Sequence, residues 1–235
     1  MIKENLQSIR ATIPQGVTLV AVSKFHPVEA LQEAYDAGQR IFGESRENEF
    51  KAKVAVLPTD IEWHFIGHLQ TNKVKYIAPY VSLIQSIDTE RLLDEVERQA
   101  VRFEKERMAR FGDACIDVLL QLHVAQEETK SGFSPDELLQ LLENVNIRER
   151  WPHVRLRGVM GMASFVDDPN QWRKEFRQIR ACHSALLDGP LKAQGISSEQ
   201  FNILSYGMSD DYQVAIEEGT NMVRIGTSIF GHREY

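Results

Sequence analysis

Short runs of β-branched and apolar residues alternate along the chain with longer segments whose apolar positions recur every three to four residues. The short runs read as strands and the longer ones as helices. Strands are predicted over residues 17–22, 40–42, 62–66, 82–85, 117–123, 155–160, 201–204 and 222–225. Helices are predicted over 28–37, 46–56, 71–77, 89–111, 135–144, 170–187 and 210–217, and a further helix, 3–11, precedes the first strand.

Local chemistry supports several of these boundaries. Ser134, Pro135 and Glu137 read as an N-cap, a proline in the first turn and a capping-box glutamate. Asp88 is placed to cap the long helix that follows, and Gly38 and Gly219 sit where helices should stop. The dense charges of that long helix, from Arg91 to Arg107, read as a solvated face. Strands that alternate with helices pair in parallel through crossovers. Eight of them in roughly 200–250 residues match a (β/α)8 TIM barrel. An open doubly wound sheet is the alternative, but the first strand is followed by AVSKFHP and not by a G-x-G-x-x-G turn. About ten residues remain after the eighth strand, too few for a full outer helix, and the N-terminal helix is expected to cover that gap. No repeat, low-complexity tract or linker interrupts the chain, so residues 1–235 are expected to form a single domain.

Composition narrows the class further. Apolar residues make up 43% and charged residues 26% of the 235 positions, which excludes a disordered chain and a disulfide-dense miniature domain. The 34 acidic and 27 basic residues give a net charge of −7, which disfavours a broadly basic surface and a nucleic-acid partner. The apolar runs are too short to span a bilayer, so no membrane partner is expected. The N-terminus MIKENLQSIR lacks the apolar core of a signal peptide, and Cys115 and Cys182 form neither a metal-ligand pair nor a disulfide framework. A cytoplasmic location is the expectation.

In a TIM barrel the chemistry sits at the C-terminal ends of the strands. Period-two alternation puts Val20, Val22 and Lys24 on one face. An inward Lys24 would be a desolvated amine, with its pKa expected to fall, suited to Schiff-base chemistry. A lysine that has left the strand for solvent is the other reading, and spacing leaves both open. On the last strand Met222, Arg224 and Gly226 share a face, while Val223 and Ile225 suit packing against helices. Arg224 would then point inward beside the first strand, either toward a ligand or toward a structural carboxylate. Gly226 and Thr227 offer an open amide and a hydroxyl suited to phosphate. Leu204 to Asp211 is a glycine-containing turn into a helix, with Ser209 read as its N-cap. It suits a phosphate seat or an ordinary capped helix equally. His64 and His68 share a strand face, but a metal site would need ligands from elsewhere, and none is predicted. Asp167 and Asp168 read as a surface turn, and Cys115 has no evident activating partner.

The segments AVSKFHP around Lys24, FGESRENE from Phe42, WHFIGHLQTNKVK from Trp63, IQSID from Ile84, EETKSGF from Glu127 and LSYGMSDDYQVAIEEGTNMVRIGTSIFG from Leu204 carry a family resemblance over almost the whole chain. The sequence resembles the pyridoxal phosphate homeostasis protein family, single-domain relatives of the alanine racemase N-terminal barrel. The resemblance implies a barrel that holds pyridoxal 5′-phosphate. Lys24 matches the lysine that forms the internal aldimine, and Arg224 matches the residue facing the pyridine nitrogen. Ser209, Gly226 and Thr227 match phosphate-binding positions, with the Met208 backbone adjacent. Three departures stand out: Gly43-Glu44-Ser45 for the usual GEN, Tyr206 within SYGMS for the usual SMGMS, and Gly161-Met162-Ala163-Ser164 for an apolar-Pro ending. They imply a different pocket edge.

The implied function is intracellular cofactor homeostasis and delivery, with apoenzymes that use the cofactor as recipients, by a monomer without catalytic residues of its own. The alternatives are a racemase-like amino-acid enzyme and a partner-binding scaffold with a vestigial site. Racemases of this fold take a second base, a tyrosine, from an additional C-terminal domain. The chain stops at Tyr235 and is expected to have no room for it, leaving Tyr206 as the tyrosine to watch.

Overall fold

The computed structural model describes residues 1–126 and 131–231. Eight parallel strands close into a barrel in sequence order. They are β1 (Thr18–Val22), β2 (Ile41–Glu44), β3 (Glu62–Phe65), β4 (Leu83–Ile87), β5 (Ile116–Leu122), β6 (Val154–Gly161), β7 (Ile203–Ser205) and β8 (Met222–Ile225). Around them run α1 (Ile2–Thr12), α2 (Val28–Asp36), α3 (Glu47–Val54), α4 (Val74–Ile77), α5 (Glu90–Arg102), α6 (Glu104–Phe111), α7 (Pro135–Asn144), α8 (Ile147–Arg150), α9 (Pro169–Leu186), α10 (Tyr212–Glu217) and α11 (Thr227–Phe230). The ring closes where β1 pairs with β8, with Val20 opposite Arg224 and Ala21 opposite Ile225. This is the expected TIM barrel.

The apolar strand runs have the composition of strands buried on both faces. Val20, Leu83, Leu119, Met160 and Met222 form a separate cluster inside the barrel. Alternate residues, among them Ala21, Trp63, Ile84, Val118, Val223 and Ile225, join the larger core between barrel and helices. α1 packs against α2 and α11. Its Leu6 is fully buried, and Asn5 Nδ2 donates to the Ile229 carbonyl at 3.0 Å. It thus covers the barrel beside β8, the place expected for the N-terminal helix.

Several sequence expectations need correction. The helix predicted over 89–111 breaks at Phe103, whose φ of −104° and ψ of 22° separate α5 from α6. The break lets α6 carry Arg107 under the barrel. Its guanidinium donates to the carbonyls of Ala78 (2.6 Å), Val81 (3.0 Å), Ala114 (3.1 Å) and Cys115 (2.7 Å). Arg107 is therefore no part of a solvated face, and burial lowers its pKa to about 10. Thr89, not Asp88, caps α5, accepting from Leu92 N–H at 3.3 Å. Asp168, read as a turn residue, caps α9 through Asn170 N–H at 2.9 Å. The capping box at Ser134 and Glu137 is present. The four-residue helices α8 and α11 are too short for a periodicity signal, and both went unpredicted.

Candidate functional site

Lys24 lies in the turn directly after β1, at the C-terminal mouth of the barrel, and is half-buried. Val20, two alternations below it, faces the interior cluster. Arg224 sits on the neighbouring strand at the Val20 level. Two residues further up, a Cβ at Gly226 would meet the Val22 carbonyl oxygen at 2.9 Å, so a glycine is needed where the β8 loop crosses the end of β1. Thr227 follows at the exposed start of α11.

Arg224 is 4% exposed, and its guanidinium is spread over neutral oxygens. Nη1 donates to Ser205 O at 2.9 Å and to Ser205 Oγ at 2.6 Å, and Nη2 donates to Gly161 O at 3.0 Å. Burial lowers the Arg224 pKa to about 10, opposed by the negative charge of Asp211. A guanidinium can only donate. Ser205 must therefore direct its own proton elsewhere, and its Oγ lies 2.7 Å from Gln85 Oε1. Gln85 is then left to donate through Nε2, to His64 Nδ1 at 2.9 Å and to Met222 Sδ at 3.3 Å. His64 accepts at Nδ1 and is neutral, with a pKa lowered to about 3 by burial. This chain of side chains on β8, β7, β4 and β3 orients Arg224 from inside the barrel. Sequence reading missed it, although Gln85 and Ser205 are polar residues at inward strand positions.

The loop after β7 turns at Gly207, whose φ is +98° and whose added Cβ would meet Ala215 Cβ at 2.6 Å. The Met208 N–H donates to Asp211 Oδ1 at 2.6 Å, closing the turn on itself. Ser209 is not the cap of α10. That position belongs to Asp211, which makes no side-chain cap there. Burial pushes the Asp211 carboxyl up. Ser209 instead lines a cleft of about 660 Å³ with Ser164, Trp172 and Met208. Ser164 explains one departure in sequence: its N–H and Oγ donate to the buried Glu175 at 2.7 and 2.6 Å.

Tyr206 points away from the mouth. It is fully buried, its hydroxyl donates to Glu218 O at 2.9 Å, and its ring stacks on Phe176 at 4.9 Å. Burial pushes its phenol well above the ordinary value. His64 and His68 do not converge: His64 is interior, and the exposed His68 meets Asp88 Oδ2 at 3.0 Å. Among the described residues no group of three or more His, Cys, Asp or Glu is arranged to hold a metal. Burial raises the thiol pKa of Cys115, and that of Cys182 to about 11, the reverse of activation. Glu127, Glu128, Thr129 and Lys130 of the EETKSGF segment lie outside the described residues.

The sequence profile of the alanine racemase N-terminal domain matches residues 1–234. The chain belongs to the alanine racemase N-terminal domain family. Within it, the chain is 38% identical to a pyridoxal phosphate homeostasis protein of Aquifex aeolicus over 92% of this chain and 87% of that protein. It is 39% identical to one of Schizosaccharomyces pombe over 97% of this chain and 91% of that protein. Among solved structures, PipY of Synechococcus elongatus with pyridoxal phosphate bound superposes with a TM-score of 0.81 at 31% identity, covering 98% of this chain and all of that one. Alanine racemase from Streptomyces coelicolor shares the fold, with a TM-score of 0.73 at 17% identity over 98% of this chain and 57% of that one. No helix among the described residues is long and apolar enough to cross a membrane.

The residues at this mouth fit pyridoxal phosphate. An amine in the turn after β1 stands beside a guanidinium on the neighbouring β8, that guanidinium is bonded by no carboxylate among the described residues, and the Gly226 backbone and the exposed Thr227 follow directly at the end of β8.

Proposed function

We propose that the protein binds pyridoxal 5′-phosphate at the barrel mouth and holds it for delivery to apoenzymes in the cytoplasm. Lys24 is the covalent anchor, Arg224 orients the ring, and Ser209, Gly226 and Thr227, with the Met208 backbone alongside, hold the phosphate. Residues 1–235 act as one domain and as a monomer. The observation that carries the reading is the buried Arg224 guanidinium, bonded to neutral oxygens on the strand beside Lys24.

The bound cofactor supplies an aldehyde carbon open to reversible attack by an amine, and a ring that can withdraw electrons. Arg224 faces the ring nitrogen as a donor and leaves it unprotonated, which weakens that withdrawal. Racemases of this fold work with such an arginine, so a second feature has to separate holding from turnover. Tyr206, at the start of the turn that carries Met208 and Ser209, has its hydroxyl committed to Glu218 O on the far side of β7. It therefore supplies no acid or base at the mouth, and holding is favoured over racemisation.

The test is the near-visible absorption of the purified protein with pyridoxal phosphate, followed by borohydride reduction and peptide mapping. A band that reduction fixes on Lys24, and that Lys24→Ala abolishes without loss of fold, supports the reading. Absence of any band overturns it in favour of a scaffold with a vestigial site. Racemisation of an amino acid at enzymatic rates overturns the delivery role.

A further inference from the structure

The backbone on both sides of Lys24 is held from α3. Lys53 Nζ donates to the Ser23 carbonyl oxygen at 2.8 Å, and Glu49 Oε2 accepts the Phe25 N–H at 2.7 Å. These belong to the peptide groups that enter and leave Lys24. Glu49 and Lys53 are one helical turn apart and meet each other at 3.3 Å. Lys53 is further anchored by Glu44 Oε1 at 2.7 Å, and the same oxygen accepts the Ser23 hydroxyl at 2.5 Å. The Glu44 and Lys53 side chains are 0% and 6% exposed. Between the two gripped peptides the chain turns sharply, since Phe25 adopts a φ of +68°. A bulky side chain seldom adopts that conformation, and it persists where the surroundings impose it. Arg46, the residue before α3, lays its guanidinium over the Phe25 ring at 4.3 Å.

Fold stability is a poor account of this arrangement. Burying a carboxylate and an ammonium costs about as much as pairing them returns, and apolar residues of similar size would dock α3 as well. Glu44 Oε2 has no hydrogen-bond partner among the described residues, and burial pushes the Glu44 carboxyl up. An apolar pair, however, could bind neither the Ser23 carbonyl nor the Phe25 amide.

We propose that Glu49 and Lys53 are positioning residues for Lys24, locking its two flanking peptide groups so that the amine leaves the backbone in one direction, into the mouth. This rests on Lys24 being the covalent anchor. Bond formation there requires Lys24 Nζ to add to the aldehyde carbon. The C–N double bond forms as the carbonyl oxygen departs as water with the two protons of the amine. A misplacement of about 1 Å costs such a step up to about 100-fold. The clamp touches neither the ring-orienting Arg224 nor the phosphate loops, so it governs the rate of that step and not the affinity of the rest of the site.

The experiment separates the two. Stopped-flow absorbance after mixing with pyridoxal phosphate reads the rate of adduct formation. Binding of pyridoxine 5′-phosphate, which has the ring and phosphate but no aldehyde, reads the remainder of the site. Glu49→Ala is expected to slow the adduct about tenfold or more with pyridoxine phosphate affinity within about twofold, while Glu49→Gln, which keeps an oxygen for the Phe25 N–H, stays within about threefold of wild type. The double variant Glu44→Gln/Lys53→Met removes the buried pair together, stays foldable where Lys53→Met alone strands a carboxylate, and is expected to behave like Glu49→Ala. Unchanged rates in Glu49→Ala and the double variant overturn the proposal. So do rate and affinity falling together, or equal losses in Glu49→Ala and Glu49→Gln. A wild-type adduct that maps to another lysine overturns the Lys24 reading itself, and is recognised by peptide mapping before any variant is made.

Discussion

His64 should make the protein lose stability on mild acidification, by an amount the structure sets. The imidazole is buried in the barrel with Nδ1 accepting from Gln85, and its pKa falls from 6.5 to about 3. In the unfolded chain the same ring takes a proton near pH 6.5. Between these values the unfolded state binds more protons than the folded one, so stability drops as pH falls through that window. At about pH 5 the unfolded ring is almost fully protonated and the folded ring almost not, a difference of about 1.5 pH units or roughly 2 kcal/mol. His64→Gln keeps a side-chain acceptor for Gln85 and removes the titration. Urea unfolding followed by tryptophan fluorescence, at about pH 5 and pH 8, should show wild type losing roughly 2 kcal/mol more than the variant. Other groups with shifted pKa values, such as His183 and Asp211, are common to both proteins and cancel in the difference. Equal losses in the two proteins, within about 0.5 kcal/mol, would refute burial of a neutral His64 and with it the hydrogen-bond chain that orients Arg224.

Arg224→Ala leaves the Ser205 and Gly161 carbonyls without their donor, and is expected to cost about 1–3 kcal/mol of stability and to shift the cofactor absorption band, read by denaturation and spectroscopy. Gly226→Ala places a Cβ at 2.9 Å from the Val22 carbonyl oxygen, and calorimetric titration with pyridoxine 5′-phosphate should show weaker binding while the barrel stays folded. Tyr206→Phe removes the hydroxyl bond to Glu218 O. It is expected to cost about 1 kcal/mol in urea unfolding and to leave the rate of adduct formation unchanged.

The alternation of strand and helix, the number of strands and their parallel closure were legible in the residues, because a strand's period and a helix's period are local properties. The inward face of Arg224 followed from the same alternation, since two residues of strand return a side chain to the same face, whereas spacing left Lys24 open and the structure puts it in the turn after β1. The capping box at Ser134 is likewise local. What the sequence left open depended on contacts between distant segments. The break at Phe103 answers to carbonyls on the barrel floor that Arg107 has to reach. The outward turn of Tyr206, which decides between a base and a packing residue, depends on Phe176 and Glu218. Ser205 and Gln85 are 120 residues apart, and no periodicity relates them until the barrel closes. The grip of Glu49 and Lys53 on the peptides around Lys24 joins a helix face to a turn across roughly a crossover unit. Sequence determined the eight strands and the longer helices between them; closure of the barrel decided which polar groups meet, because hydrogen-bond partners are set by proximity in space and not by spacing along the chain.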